Sequence, residues 1–228
     1  ADAAFLTITS NDPYTPDVLA TQDGLGDLFG ENTDLFEQPI QGATDIIFAV
    51  DRSCSMDENV EDMMANFADF TNTLGTMNSD YHVAAVVVDS GCIYGPDTWI
   101  DRNFSATQAN SALETMIDIN LQNTPYGSNT ERAFMLMEAM LSESVDGNGA
   151  PYPGGCNYGL IREEAKLALV GVSDEPEQSV NSYSYYISMF QSLKSNPSDV
   201  VIHGIGGDYP SGCGSNSAYT GMYEATVA

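Results

Sequence analysis

The sequence predicts an α/β fold: a doubly wound, mostly parallel open sheet. Apolar runs of strand length alternate with stretches whose apolar residues recur at helical spacing. The chain's 228 residues are enough for one sizeable domain with a full core. No obvious internal repeat breaks the alternation, and strands that alternate with helices argue for a parallel sheet covered on both faces.

Residues 1–42 are rich in Asp, Gly, Pro and Thr and weak in periodicity. They read as an irregular N-terminal arm in which Phe5-Leu6-Thr7-Ile8-Thr9 can form one edge strand. The α/β domain occupies residues 43–228. Its first strand covers about 44–50, and a helix follows over about 56–74 with Val60, Met63, Met64, Phe67, Phe70 and Leu74 on one face. Asp57, Glu58, Glu61 and Asp62 crowd its first turns, where acids suit the helix dipole; they read as a solvated face. Tyr81 to Val88 form a buried strand, and Thr98-Trp99-Ile100 a short one. Helical spacing returns over about 106–121 and from Asn129 to about Leu141, where Phe134, Met137, Met140 and Leu141 point inward. Residues 144–161 form a Gly- and Pro-rich loop longer than a usual connection, suited to a specificity role. Within it Asp146-Gly147-Asn148-Gly149 resembles a fragment of a calcium loop without the later ligands. A strand over about 166–172 leads to Asp174. A helix over about 180–193 carries Tyr186, Ile187, Phe190 and Leu193, a strand covers about 199–206, and residues 219–228 begin one more helix.

The segment Asp51-Arg52-Ser53-Cys54-Ser55 lies between the first strand and its helix. It places one carboxylate and two hydroxyls at alternate positions on a turn at the C-terminal end of a strand, the edge at which open α/β sheets bind ligands. Three hard oxygens facing one point suit Mg²⁺ or Mn²⁺. Asp-x-Ser-x-Ser after an apolar strand resembles the metal-ion-dependent adhesion site of the von Willebrand factor A family. That family completes its site with a hydroxyl from a second loop and an aspartate from a third. Tyr126-Gly127-Ser128-Asn129-Thr130-Glu131-Arg132-Ala133 resembles the second loop, with Ser128 where the family usually has Thr. Thr130 is the alternative if the loop register slips by two. Val170-Gly171-Val172-Ser173-Asp174-Glu175 resembles the third. The three segments occur in the family's order, and the likeness covers residues 43–228.

The resemblance implies metal ligands Asp51, Ser53, Ser55, Ser128 and Asp174, some direct and some through water, around Mg²⁺, with Mn²⁺ or Ca²⁺ as alternatives. Ser128 keeps the hydroxyl but lacks the stiff rotamer of Thr. The resemblance also makes 98–100 the short antiparallel edge strand. It calls for a final strand that residues 1–228 do not supply, so the expectation is a chain that continues past Ala228. It sets Cys54 and Cys92 at one sheet edge and favours a bridge between them. Arg52 is expected to be exposed beside the site, and Glu175 and Glu177 to be solvated acids on its rim.

Composition narrows the function. Thirty-three acidic residues stand against six basic ones, a formal net charge of −27. Nucleic acid and anionic membrane surfaces, which need clustered Lys and Arg, are excluded as partners. Such a surface suits a salty extracellular medium. No run of 18 apolar residues is present to span a membrane. Ala1-Asp2-Ala3-Ala4 fits a mature end after signal cleavage, and equally an internal fragment. Cys54, Cys92, Cys156 and Cys213 lack zinc spacing and read as two disulfides of an exported protein. Four cysteines allow three pairings, and Cys213 is the hardest to place.

Catalytic motifs are absent. His82 and His203 lie in strand patterns, no Gly-x-Ser-x-Gly elbow occurs, Cys54 has no evident histidine base, and no helix opens after Gly204-Ile205-Gly206-Gly207. The sequence therefore predicts a non-enzymatic, metal-dependent adhesion domain of an extracellular or surface protein, resembling bacterial exported members. Its partner would be a protein or glycan that offers a carboxylate. The alternative is a structural subunit of a surface filament or virion, self-assembling, in which the metal site stabilises assembly or is vestigial. An intracellular partner of an ATPase fits the cysteines poorly.

Overall fold

The computed structural model describes the strands Ala4–Thr9 and Asp17–Gln22 and residues 42–76, 79–95, 99–117, 131–214 and 216–228. The chain divides into two compact units, Ala1–Gln38 and Pro39–Ala228. In the first unit β1 (Ala4–Thr9) pairs antiparallel with β2 (Asp17–Gln22), with Ala4 opposite Gln22 and Thr9 opposite Asp17. The edge strand foreseen at Phe5–Thr9 thus has a partner that the weak periodicity of the region did not signal.

The second unit runs β3 (Thr44–Val50), α1 (Asp57–Thr76), β4 (Tyr81–Val86), β5 (Ile100–Asp101), α2 (Ala106–Ile117), α3 (Ala133–Ser142), β6 (Lys166–Val172), α4 (Tyr183–Ser192), β7 (Val200–Ile205) and α5 (Met222–Val227). Five strands form one sheet in the order β5-β4-β3-β6-β7, parallel except for β5, which runs antiparallel to β4. This is the predicted doubly wound sheet with its short antiparallel edge strand. The central strands read as continuous apolar runs because both faces are covered; Ile46 to Val50 are all buried.

Strand register shows how the two faces are used. Phe48 stands beside Val170 and turns its ring toward α1, at 6.3 Å from Phe67 and 5.7 Å from Phe70. Ala49, Gly171 and Gly204 are adjacent in register and face the other way. There α5 and the chain before it come so close that a Cβ on Gly171 would sit 2.3 Å from the Met222 side chain and 2.7 Å from the Tyr219 hydroxyl. On that face Phe134 of α3 stacks on Tyr186 of α4 with centroids 5.1 Å apart.

The helix α2 starts at Ala106 as the spacing has it, and the starts of α1, α3, α4 and α5 differ from the spacing-based reading by one to four residues. Cys54–Met56 form a single 3-10 turn before α1. The helix α4 begins at Tyr183 because the Ser182 hydroxyl accepts from Tyr185 N–H and caps it. The helix α3 begins at Ala133 rather than 129, and its first turn is capped by a distant loop.

The long loop is tied down. Asp146 Oδ1 accepts from the N–H groups of Asn148 and Ala150 at 2.8 and 3.1 Å, so this carboxylate closes a local turn. Asn157 is buried; its amide donates to Gly91 O and Met140 O and accepts from Ile93 N–H. These bonds draw the loop after β4 against the long loop, and Cys92 pairs with Cys156 across the seam. The expected Cys54–Cys92 bridge is therefore corrected. Cys92 lies in the loop after β4, whose Ile93 N–H donates to Oδ1 of Asn157, the residue next to Cys156. Cys213 is an exposed free thiol.

At the lower end of the sheet, Asp45 is fully buried within the apolar run of β3. Arg162 compensates it. Its backbone N–H donates to Asp45 Oδ2 at 2.6 Å, its Nε to Oδ1 at 2.9 Å, and a terminal nitrogen approaches Oδ1 to 2.7 Å. The other terminal nitrogen meets Asp80 Oδ2 at 2.6 Å, and Lys194 Nζ donates to the Arg162 carbonyl. Burial raises the Asp45 carboxyl while the guanidinium opposes that rise. His82 bonds through Nδ1 to Leu160 O at 2.9 Å and stacks on Trp99 at 4.6 Å, which accounts for it as a structural residue.

Two outcomes follow. Arg162→Met leaves a buried carboxylate unpaired and is expected to cost about 3–5 kcal/mol of unfolding free energy in urea titration. Cys156→Ser opens a link between residues 64 apart, and chain-entropy scaling puts that loss at about 4 kcal/mol, read in the same experiment.

Candidate metal centre

The register of β3 against β6 builds the upper edge. Val50 pairs with Val172, and Asp51 N–H donates to Val172 O at 2.9 Å. Asp51 thus emerges next to Ser173, one residue before Asp174. The Ser173 hydroxyl donates to Asp51 Oδ2 at 2.8 Å and accepts from Glu175 N–H at 3.2 Å. Asp51 Oδ1 accepts from Ser53 N–H at 2.7 Å, which folds the chain into a tight turn. The Ser53 and Ser55 hydroxyls lie 3.1 Å apart, and Ser55 Oγ donates to Asp174 Oδ1 at 3.2 Å. Ser217 N–H holds the Asp174 carbonyl at 2.9 Å.

Four of the residues singled out by sequence are therefore brought together: Asp51, Ser53, Ser55 and Asp174. The two carboxylates are buried, at 5% and 6% exposure, while Ser55 is exposed. Ser128 and Thr130, the alternatives for the fifth position, lie outside the described residues. The donor set fits a hard divalent cation: two carboxylates and two hydroxyls, all oxygen. A groove of about 400 Å³ opens beside Asp174 and runs along α1, lined by Met63, Phe67, Phe70 and Ile205.

Ser173 and Glu177 complete the surroundings, and neither role was assigned from sequence. Ser173 is signalled only by its place after an apolar strand. Glu177 is not the solvated acid expected: its Oε2 accepts from Ala133 N–H at 3.1 Å, and burial pushes its carboxyl up while the N–H groups it accepts oppose that rise. Arg52, expected to be exposed, is half-buried. The Tyr219 hydroxyl is buried with no hydrogen-bond partner among the described residues, and burial beside the negative Glu177 and Asp51 holds its pKa well above the usual phenol value. A second cluster, Cys92, Glu143 and Cys156, brings potential metal-ligand atoms within 4.8 Å of one another, but its two sulfurs are joined in the disulfide. Among the described residues no helix is long and apolar enough to cross a membrane.

No family profile matches the chain, and no curated protein does. Among solved structures, the chain is similar to two structures of proximal thread matrix protein 1 from the mussel byssus. One match has 12% identity and a TM-score of 0.43 and covers 72% of this chain and 38% of that one. The other has 15% identity and a TM-score of 0.37 and covers 72% and 36%. The chain thus spans well under half the length of these neighbours.

Asp51 depends on Ser173 for one of its donors. Ser173→Ala is expected to lower stability by about 1.5–3 kcal/mol, the usual worth of a hydrogen bond to a charged group, measured by urea denaturation in chelator.

Proposed function

We propose that this chain carries a metal-dependent adhesion domain of the von Willebrand factor A type, which captures a partner carboxylate through a divalent cation. The observation that supports it is the convergence of Asp51, Ser53 and Ser55 with Asp174, from loops more than a hundred residues apart, into one hydrogen-bonded cluster at the sheet edge where α/β folds bind ligands. Asp51 and Asp174 would supply charge matching Mg²⁺, and Ser53 and Ser55 neutral oxygens, with Ser128 or Thr130 as the further hydroxyl. The bound cation would offer an electrophilic position to an anionic oxygen of the partner. Mn²⁺ and Ca²⁺ are the alternative cations.

This chain's own groups do the rest. The Ser53 N–H and the Ser173 hydroxyl fix both oxygens of Asp51, and the Ser217 N–H fixes the main chain at Asp174. The reading has no catalytic step. The partner is a protein or glycan that bears a carboxylate, and the setting is extracellular or at a cell surface, in keeping with the acidic composition and the Cys92–Cys156 disulfide. A structural subunit of a surface filament or virion is the second reading. It is favoured by β7, an edge strand without a charged residue or proline, on which Val201 and Ile205 are 41% and 53% exposed.

Calorimetric titration of Mg²⁺, Mn²⁺ and Ca²⁺ into chelator-treated protein tests the proposal. Binding is expected in the wild type and its loss in Asp174→Ala. A wild type that binds none of the three removes metal-dependent adhesion and leaves the structural reading.

A further inference from the structure

We propose that Cys92, Cys156 and Glu143 form a redox-gated metal site, which takes Zn²⁺ once the disulfide is reduced and then staples the same two loops that the bridge staples. The site is independent of the centre at Asp51 and Asp174. A disulfide needs no acid beside it, yet Glu143, the residue that ends α3, sets Oε2 3.5 Å from Cys156 Sγ. One ligand atom from each of the three residues lies within 4.8 Å of the others. Cys and Glu ligands surround Zn²⁺ tetrahedrally, with Zn–S about 2.3 Å and Zn–O about 2.0–2.2 Å. At the tetrahedral angle those lengths put a sulfur and an oxygen of one shell about 3.5–3.7 Å apart. The Glu143 oxygen thus already stands at ligand-to-ligand distance from Cys156.

The scaffold behind these distances does not run through the sulfurs. Glu143 Oε2 also accepts from Cys156 N–H at 3.1 Å, which orients the carboxylate, and Glu143 O accepts from Asn157 N–H at 3.1 Å. Gly155 permits that contact, since a Cβ there would clash with Glu143 O. Across the seam the Asn157 amide donates to Gly91 O at 2.7 Å and accepts from Ile93 N–H at 3.0 Å, so it holds the residues on either side of Cys92. None of these bonds involves a sulfur, and each can persist when the sulfur–sulfur bond opens. The two cysteine Cα atoms are 5.7 Å apart, which keeps both thiolates within reach of one ion. Cys156 is exposed while Cys92 and Glu143 are half-buried. That leaves a path for reductant and metal, and room for a water in the fourth position.

The chemistry balances in two steps. A dithiol reductant passes two electrons and two protons to the Cys92–Cys156 bond and leaves as its own disulfide, which yields two thiols. Zn²⁺ then displaces both thiol protons to solvent and binds the two thiolates, the Glu143 carboxylate and one water. In the oxidised chain the bridge ties up both sulfurs and the site is closed. Co²⁺ is the probe, because thiolate ligands give it an intense near-ultraviolet charge-transfer band that oxygen ligands do not, so the centre at Asp51 stays silent. The full chain carrying Cys54→Ser and Cys213→Ser is reduced with dithiothreitol, freed of it by gel filtration under argon, and titrated. The reduced protein is expected to take up one equivalent of Co²⁺ with the thiolate band, Zn²⁺ to displace it and raise the melting temperature, and the oxidised protein to show no band. Glu143→Gln keeps the size and removes the charge. It should weaken Zn²⁺ binding at least about 10-fold, the loss that even an outer-shell partner causes. No thiolate band in the reduced protein overturns the inference. Equal Zn²⁺ affinity in Glu143→Gln overturns it too, because the two thiols of an unfolded chain would bind metal without the acid.

Discussion

The parallel register of β3 against β6 is the constraint on which the rest depends. Because Val50 pairs with Val172, Asp51 emerges beside Ser173 and one residue short of Asp174. A slip of one residue would turn every side chain of β3 to the opposite face of the sheet. It would drive Phe48 away from Phe67 and Phe70 and part Asp51 from the Ser173 hydroxyl. Core packing and site geometry therefore select the same register. The lower end reinforces it, since Asp45 in β3 accepts from Arg162, only four residues before β6 begins.

The two aspartates that bracket β3 differ in what meets them. Asp45 is held by a guanidinium, so its charge is compensated within the fold. Asp51 is held by neutral donors, the Ser53 N–H and the Ser173 hydroxyl. A hydrogen bond from a neutral group orients a carboxylate without cancelling its charge. Asp45 is thus built as a strut. Asp51, linked through the turn at Ser53 to the Ser55 hydroxyl that meets Asp174, has the surroundings of a cation ligand under the proposed reading.

Most of the fold was legible because it lies in local periodicity. The alternation of strands and helices, the helical faces of α1, α3 and α4, and the turn at Asp51–Ser55 each follow from residues a few positions apart, while the antiparallel edge strand was foreseen only through the family resemblance. What escaped depends on loops meeting across the chain. Asp45 looked like an ordinary strand residue because its partner is 117 positions away. Glu177 looked like a rim acid because the amides it caps lie 44 positions earlier. Cys92 was matched with Cys54 on the strength of a shared sheet edge, but its partner is decided by Asn157, a buried amide that carries no sequence signature. A single sequence states the chemistry of such residues and leaves their partners open.

The charge balance bears on how the centre would work. Of the six basic residues, Arg162 and Lys194 are committed to the lower cluster and Arg132 approaches Asp89 at 3.6 Å. The surface field is therefore strongly negative and repels a carboxylate-bearing partner until screening cuts it off, at about 8 Å in physiological salt. The same field concentrates divalent cations. Under the proposed reading the order of events follows from these signs: a cation is drawn in first, and the partner is captured only at short range. A third carboxylate in place of Ser53 or Ser55 would hold the cation more tightly but quench its pull on that partner. Under that reading, two acids with neutral hydroxyls beside them would keep the cation electrophilic enough to reach across an acidic surface.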